Sequence, residues 1–281
     1  MERITLGYDG TRDARSGLDW VIDRCCTRDA QVTIAEVSAP GYEADATGGG
    51  LDDAARAVRE RAPGTRAITA RVRGDIAIEL ADIGMGADLI VLGVHPDARL
   101  RALMSRMLPL RVTARSRLPV VLVPHGWQPR RGTVVVGIDD DDSSSPAVDF
   151  ALREAIAVGS PLHLVHAWLA GLPSSPLRRD RTDSSTTALE VHRRILARAA
   201  RYARDKEPGL ELAERLVRDN PVSALSHRAH EATMVVIGSQ GIIPGRDART
   251  RRDLRGIRES DRRDRSAERW PLASAIASRA S

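Results

Sequence analysis

The chain has 281 residues, a formal net charge of +5 and 42% hydrophobic residues, enough for globular cores in about two domains. No apolar run approaches the roughly 18 residues that span a bilayer. The basic surplus sits wholly in residues 246–281, where eleven arginines face six acids, so the neutral remainder carries no electrostatic footprint for nucleic acid.

Short apolar runs alternate with amphipathic stretches along the first half. A strand is expected over Arg3–Tyr8, a turn at Asp9-Gly10-Thr11, and a helix over Asp13–Cys26 with Leu18, Val21, Ile22 and Cys25 on one face. Strands follow at Val32–Val37, Ala67–Val72, Leu89–Leu92 and Val120–Val123. Helices are expected at Leu51–Arg61, at Ile76–Gly84 with Asp75 as N-cap, and at Leu100–Arg115. The order then starts again. Strands are expected at Val134–Ile138, Leu162–Ala167, Leu212–Val217 and Met234–Ile237. The helices between them are Ser145–Val158, with Ser145 as cap and Pro146 in the first turn, then Ala188–Asp205 and Pro221–Glu231.

The chain is therefore one module written twice. Ile4-Thr5-Leu6-Gly7-Tyr8-Asp9-Gly10 is answered by Val134-Val135-Val136-Gly137-Ile138-Asp139-Asp140, and Gly86-Ala87-Asp88-Leu89-Ile90-Val91-Leu92-Gly93 by Glu231-Ala232-Thr233-Met234-Val235-Val236-Ile237-Gly238. The division is 1–124 for the first domain, 125–131 for a linker, 132–245 for an incomplete second domain and 246–281 for a tail. The second copy lacks a counterpart of the closing run Leu118-Pro119-Val120-Val121-Leu122-Val123 and passes instead into interleaved Arg and Asp, the composition of a disordered segment and of an altered or decayed end. A missing edge strand is expected to leave the fourth strand of this module open to pairing with another chain. Continuous apolar strands alternating with helices make each module an α/β, doubly wound parallel-sheet sandwich. Ligands in such folds sit at the carboxyl ends of the strands where the strand order reverses. That places Asp9, Val37 and Gly93 at one candidate site and Asp139, Ala167 and Gly238 at the other.

On these segments each module resembles a universal stress protein domain, and the chain a tandem member of that family over residues 2–245. The resemblance implies strand order 3-2-1-4-5, the adenine-nucleotide alpha-hydrolase-like arrangement, and ATP as a bound regulator rather than a substrate turned over quickly. Family members that bind ATP carry Gly, two residues, Gly, nine residues, then Gly-Ser or Gly-Thr after the fourth strand. Small residues there let backbone amides approach phosphate. In the first module Gly93 is followed by Pro96 at the second glycine position and by Arg106-Met107 at the Gly-Ser position. In the second, Gly238-Ser239-Gln240-Gly241 matches the first half and Arg251-Arg252 falls at the end. The resemblance therefore gives Asp139, Ala167, Gly238, Ser239 and Gly241 as the stronger nucleotide set and Asp9, Val37 and Gly93 as the weaker. Mg²⁺ would accompany ATP.

The expected protein is a cytoplasmic, non-enzymatic stress-response module. Its partners are another copy or half of itself, as pseudo-dimer or homodimer, and an unidentified protein, with no membrane and no nucleic acid. The alternatives are a nucleotide-independent interaction protein with decayed motifs and a slow ATPase; a Walker-type Gly-Lys-Ser/Thr is missing. No residue is assigned to catalysis or to a metal. His95 and Asp97 sit in a solvated loop that could touch a ligand. His163 and His166 lie three apart on a strand and so face opposite sides, and Cys25 reads as a small core hydrophobe beside Cys26.

Overall fold

The computed structural model describes residues 1–39, 49–95, 108–140, 144–169, 181–239 and 272–277. The first module runs β1 (Glu2–Gly7), α1 (Arg12–Thr27), β2 (Ala30–Ser38), α2 (Gly49–Arg61), β3 (Arg66–Arg73), α3 (Ile76–Gly84), β4 (Leu89–Val94), α4 (Leu108–Arg115) and β5 (Val120–Pro124). The second runs β6 (Thr133–Gly137), α5 (Ser144–Val158), β7 (Leu162–Ala167), α6 (Arg181–Lys206), β8 (Leu212–Val217), α7 (Pro221–Ala229) and β9 (Ala232–Ser239), and β10 (Leu272–Ala277) follows. The expected start of the fourth helix, residues 100–107, lies outside the described residues.

Local chemistry explains the helix starts. The Thr11 hydroxyl caps α1 by accepting from the Ala14 amide at 3.2 Å, and the apolar stripe Leu18, Val21, Ile22 and Cys25 is buried. Asp75 caps α3 through the amides of Ala77 and Ile78, and Asn220 caps α7 ahead of Pro221. The helix expected from Ser145 begins at Ser144 instead. The Ser144 hydroxyl donates to the Asp139 carbonyl at 2.7 Å and accepts from the Asp139 amide at 3.0 Å, closing the loop after β6.

The first module contributes five parallel strands in the order β3-β2-β1-β4-β5, and the second contributes four, β9-β6-β7-β8. Among the described residues no fifth parallel strand follows β9. Its place is taken by β10, which pairs parallel with β5 (Ala275 opposite Val121) and antiparallel with β9 (Ala275 opposite Val236), joining all ten strands into one sheet. The expectation of tail disorder is thus corrected over Leu272–Ala277, and with it the expectation of an open edge on β9. The segment Leu-Ala-Ser-Ala-Ile-Ala has low strand propensity, and pairing on both sides overrides it. The rest of the tail lies outside the described residues.

One apolar cluster runs under α1, α2, α5 and α6 across both modules, while α3 and α4 cover the other face of the first module and α7 that of the second. Where α1 meets α5, Arg24 is 5% exposed and donates to both oxygens of Glu154 at 2.7 and 2.8 Å. It also donates to both oxygens of Glu2, and Arg28 adds two bonds to Glu154 at 3.1 and 3.2 Å. Burial pushes the Glu154 carboxyl up, but the guanidiniums of Arg24 and Arg28 outweigh it and hold it below its ordinary value. The Arg130 side chain, in the linker, donates to the carbonyls of Ala229, His230 and Ala232 and so terminates α7.

Candidate functional sites at the strand ends

Strand order reverses between β1 and β4 in the first module and between β6 and β9 in the second, so the two candidate sites lie at the carboxyl ends of those strands. The structure brings Asp9, Val37 and Gly93 to adjacent strand ends, as it does Asp139, Ala167, Gly238 and Ser239. Gly241 lies outside the described residues, as do Pro96, Asp97, Arg106 and Met107.

In the first module these residues do structural work. Asp9 folds its carboxylate back onto the Thr11 amide at 3.0 Å and hydroxyl at 2.6 Å, the turn role that Asp commonly plays. Gly93 lies under the first turn of α1: a Cβ there would stand 1.9 Å from the Asp13 carbonyl oxygen and 2.7 Å from the Ala14 nitrogen. Glycine is needed so that α1 can seat on β4.

Beside it stands a group the sequence did not bring together. Asp13, in the first turn of α1, has one carboxylate oxygen 2.9 Å from His125 Nδ1 and 3.5 Å from His95 Nδ1. The histidines follow β4 and β5 directly, with ring centroids 5.5 Å apart. His125 is fixed by its amide donating to the Val94 carbonyl at 2.8 Å, and by Gly126, whose φ of +70° sets a turn and whose amide donates to the Ser16 hydroxyl at 3.0 Å. Imidazole and carboxylate donors converging on one point can hold a transition-metal ion.

In the second module the strand ends present an exposed acid. Asp139 is exposed at the end of β6, one carboxylate oxygen accepting from the Asp140 amide at 2.8 Å, while Arg198 of α6 holds Asp140 at 2.6 Å. Gly238 and Ser239 end β9 opposite Ala273 and Leu272 of β10. In an antiparallel ladder alternate residues exchange both bonds, so one of the two directs its amide at β10. The other directs its amide past the end of β6, the side of Asp139.

Beside these strand ends lies a cluster that joins His166 to two residues the sequence reading left out, His192 and Trp168. His166 is buried and its Nδ1 meets the Ile138 carbonyl at 2.7 Å, so Nδ1 carries the proton and Nε2 accepts from His192 Nδ1 at 2.8 Å. Trp168 stacks on His192 at 4.7 Å between centroids, and the Arg218 guanidinium lies 5.6 Å over the Trp168 ring. Burial first, and then the neighbouring His166, push the His192 pKa down; Asp139 and Asp140 oppose this. His163 faces the other way, toward Arg215 and Arg228, so the two strand histidines are separate as expected. Cys25 is buried with its thiol pushed up to about 11 by burial, an inert core group, and Cys26 is exposed.

The sheet arrangement agrees with the comparisons to known proteins. The sequence profile of the universal stress protein family matches residues 1–124 and 131–257, and the chain belongs to that family. A universal stress protein of Mycobacterium tuberculosis strain H37Rv is 28% identical over 174 residues, 60% of this chain and 55% of that protein; this chain therefore spans about half the length of the first curated relatives it matches. A universal stress protein of Mycolicibacterium smegmatis is 23% identical over 260 residues, covering 85% of this chain and 87% of its own. The crystal structure of a universal stress protein from Archaeoglobus fulgidus superposes with a TM-score of 0.59 at 14% identity, covering 99% of this chain and 97% of that one, and shows the shared fold. Among the described residues no helix is long and apolar enough to cross a membrane.

Proposed function

We propose that this universal stress protein is an ATP-responsive regulatory module of the cytoplasm that binds one nucleotide, with Mg²⁺, at the strand ends of its second module. The observation that carries the reading is the exposed Asp139 carboxylate at the switch point, between Ala167 at the end of β7 and Gly238-Ser239 at the end of β9. Asp139 would take the nucleoside end, the end of β7 would line the base pocket and the Gly238-Ser239 backbone would approach the phosphates. The first module acts as a packing partner, because the Asp9 carboxylate is engaged by Thr11 and Pro96 stands at the second glycine position.

Binding without rapid turnover is supported by how the nearby cations are engaged: Arg198 is paired with Asp140 at 2.6 Å, and the sequence's one lysine, Lys206, is hydrogen-bonded to Asp149 at 2.8 Å. Phosphoryl transfer depends on cations placed at the phosphates. The test is mass spectrometry of nucleotide released from the purified full chain: wild type and Asp9→Ala retain an adenine nucleotide and Asp139→Ala loses it. Protein without nucleotide in any form, still engaging a protein partner, would replace this reading with a nucleotide-independent interaction protein.

A further inference from the structure

The geometry points to a second, independent site in the first module: Asp13, His95 and His125 bind a first-row transition-metal ion, with zinc as the natural occupant. The donors come from three elements, α1, the end of β4 and the end of β5, separated by 82 and 30 residues along the chain. Their ligand atoms all lie within 4.8 Å of one another. A tetrahedral zinc site with bonds of about 2.0–2.1 Å places its donors roughly 3.3 Å apart. The two separations from Asp13 to the histidines, 2.9 and 3.5 Å, bracket that value, so small side-chain rotations complete the set.

The surroundings fix two of the donors. Asp13 rides on the turn of α1 that seats on Gly93, and any displacement of that turn is resisted by the sheet beneath it. His125 is held on both sides, by the Val94 carbonyl and by the Gly126–Ser16 bond that returns to α1. Both imidazoles approach through Nδ1: without metal, His125 Nδ1 donates its proton to the Asp13 carboxylate, and metallation at Nδ1 would displace that proton and leave Nε2 protonated. Two imidazoles and one carboxylate suit zinc, nickel, cobalt or copper. Magnesium and calcium prefer all-oxygen sets. The His95 side chain is 52% exposed, so at least one coordination position faces solvent and takes water or an anion.

The ion would join α1 to the ends of β4 and β5. In this arrangement the first module holds a metal at the strand ends where its nucleotide motif is broken, and the site owes nothing to the nucleotide reading of the second module.

The experiment is calorimetric titration of untagged, full-length protein with Zn²⁺ alone, without nucleotide, paired with the visible spectrum of the Co²⁺ form. One ion per chain is expected, with a Co²⁺ spectrum of low-coordinate nitrogen and oxygen ligation and no thiolate charge-transfer band. His125→Ala, His95→Ala and Asp13→Asn should each weaken binding at least tenfold with the circular dichroism unchanged. Cys26→Ser and His192→Ala should leave it within threefold, because the exposed thiol and the His166–His192 pair are the competing donors. Absence of saturable binding, or binding that survives the His95→Ala/His125→Ala double substitution, overturns the site and reduces the cluster to a solvated ion pair. Three single variants keep the test usable if one fails to fold.

Discussion

Glu154→Ala should destabilise the whole chain, because Glu154 joins the two modules through Arg24. The substitution removes four hydrogen bonds, two to Arg24 and two to Arg28, and leaves a guanidinium that is 5% exposed with half its partners. Removing one partner of a buried pair costs about 3–5 kcal/mol, chiefly the penalty on the charge left behind. Glu2 stays 2.7 Å from Arg24, so the lower end applies, about 3 kcal/mol. At about 2–4 °C per kcal/mol for a chain of this size, the melting temperature falls by about 6–12 °C. Replacing both groups by apolar residues, Arg24→Met with Glu154→Leu, should recover part of the loss, with a coupling energy of about 1 kcal/mol or more. The pH dependence has a definite sign. The folded pKa of Glu154 lies below its ordinary value, so its contribution is present above about pH 4.5 and is lost as pH falls through the folded value. Glu154→Gln should flatten that limb of the acid titration. Urea denaturation followed by circular dichroism reads the free energies and their pH dependence, and a thermal scan reads the melting temperature. A Glu154→Ala effect below about 1 kcal/mol, or strict additivity with Arg24→Met, would refute the buried-pair account.

The His192 pKa is depressed by burial and by His166, so its neutral form stabilises the fold above about pH 6.5 and that stability is lost as pH falls through the depressed value. Trp168, stacked on His192, should report the change as a fluorescence transition that Trp168→Phe removes; an unchanged transition would assign it to another tryptophan. Gly93→Ala forces a Cβ against helix backbone at 1.9 Å and should cost about 3 kcal/mol in urea denaturation, the upper end for overpacking because neither contact is a side-chain tip; a neutral result would show that α1 does not seat there. Ala275→Pro breaks the ladder in β10 opposite both Val121 and Val236, and light scattering should detect self-association as the edges of β5 and β9 open. A monodisperse monomer would mean that β10 does not guard those edges.

Much of this architecture was legible because parallel strands buried on both faces leave a strong mark. The runs Leu162–Ala167 and Leu212–Val217 form strands with the expected bounds, and Asp75 caps α3 as an Asp before an apolar run should. The resemblance between the halves located Asp9 and Asp139 at strand ends, since that placement follows from chain order alone. What was not legible depends on distance in the sequence. The strand β10 owes its existence to a vacancy between β5 and β9 and has only Ile276 as a β-branched residue. Asp13, His95 and His125 show no ligand spacing because three elements bring them together. The His166–His192–Trp168 stack joins a strand end to the middle of α6, which a reading of either alone cannot show. Gly93 matched a phosphate motif by type and position, yet the backbone of α1 gives it a packing role that motif matching cannot reveal.

Calorimetric titration of the full chain with ATP and Mg²⁺ tests the central claim most directly. One ATP per chain is predicted. Asp139→Ala should weaken binding by about 10- to 100-fold, the worth of one hydrogen bond to a charged group. Asp9→Ala should change it less than threefold, since the Asp9 carboxylate is spent on Thr11. Binding lost on Asp9→Ala and kept on Asp139→Ala would move the site to the first module, and no binding in any form would contradict the nucleotide reading outright.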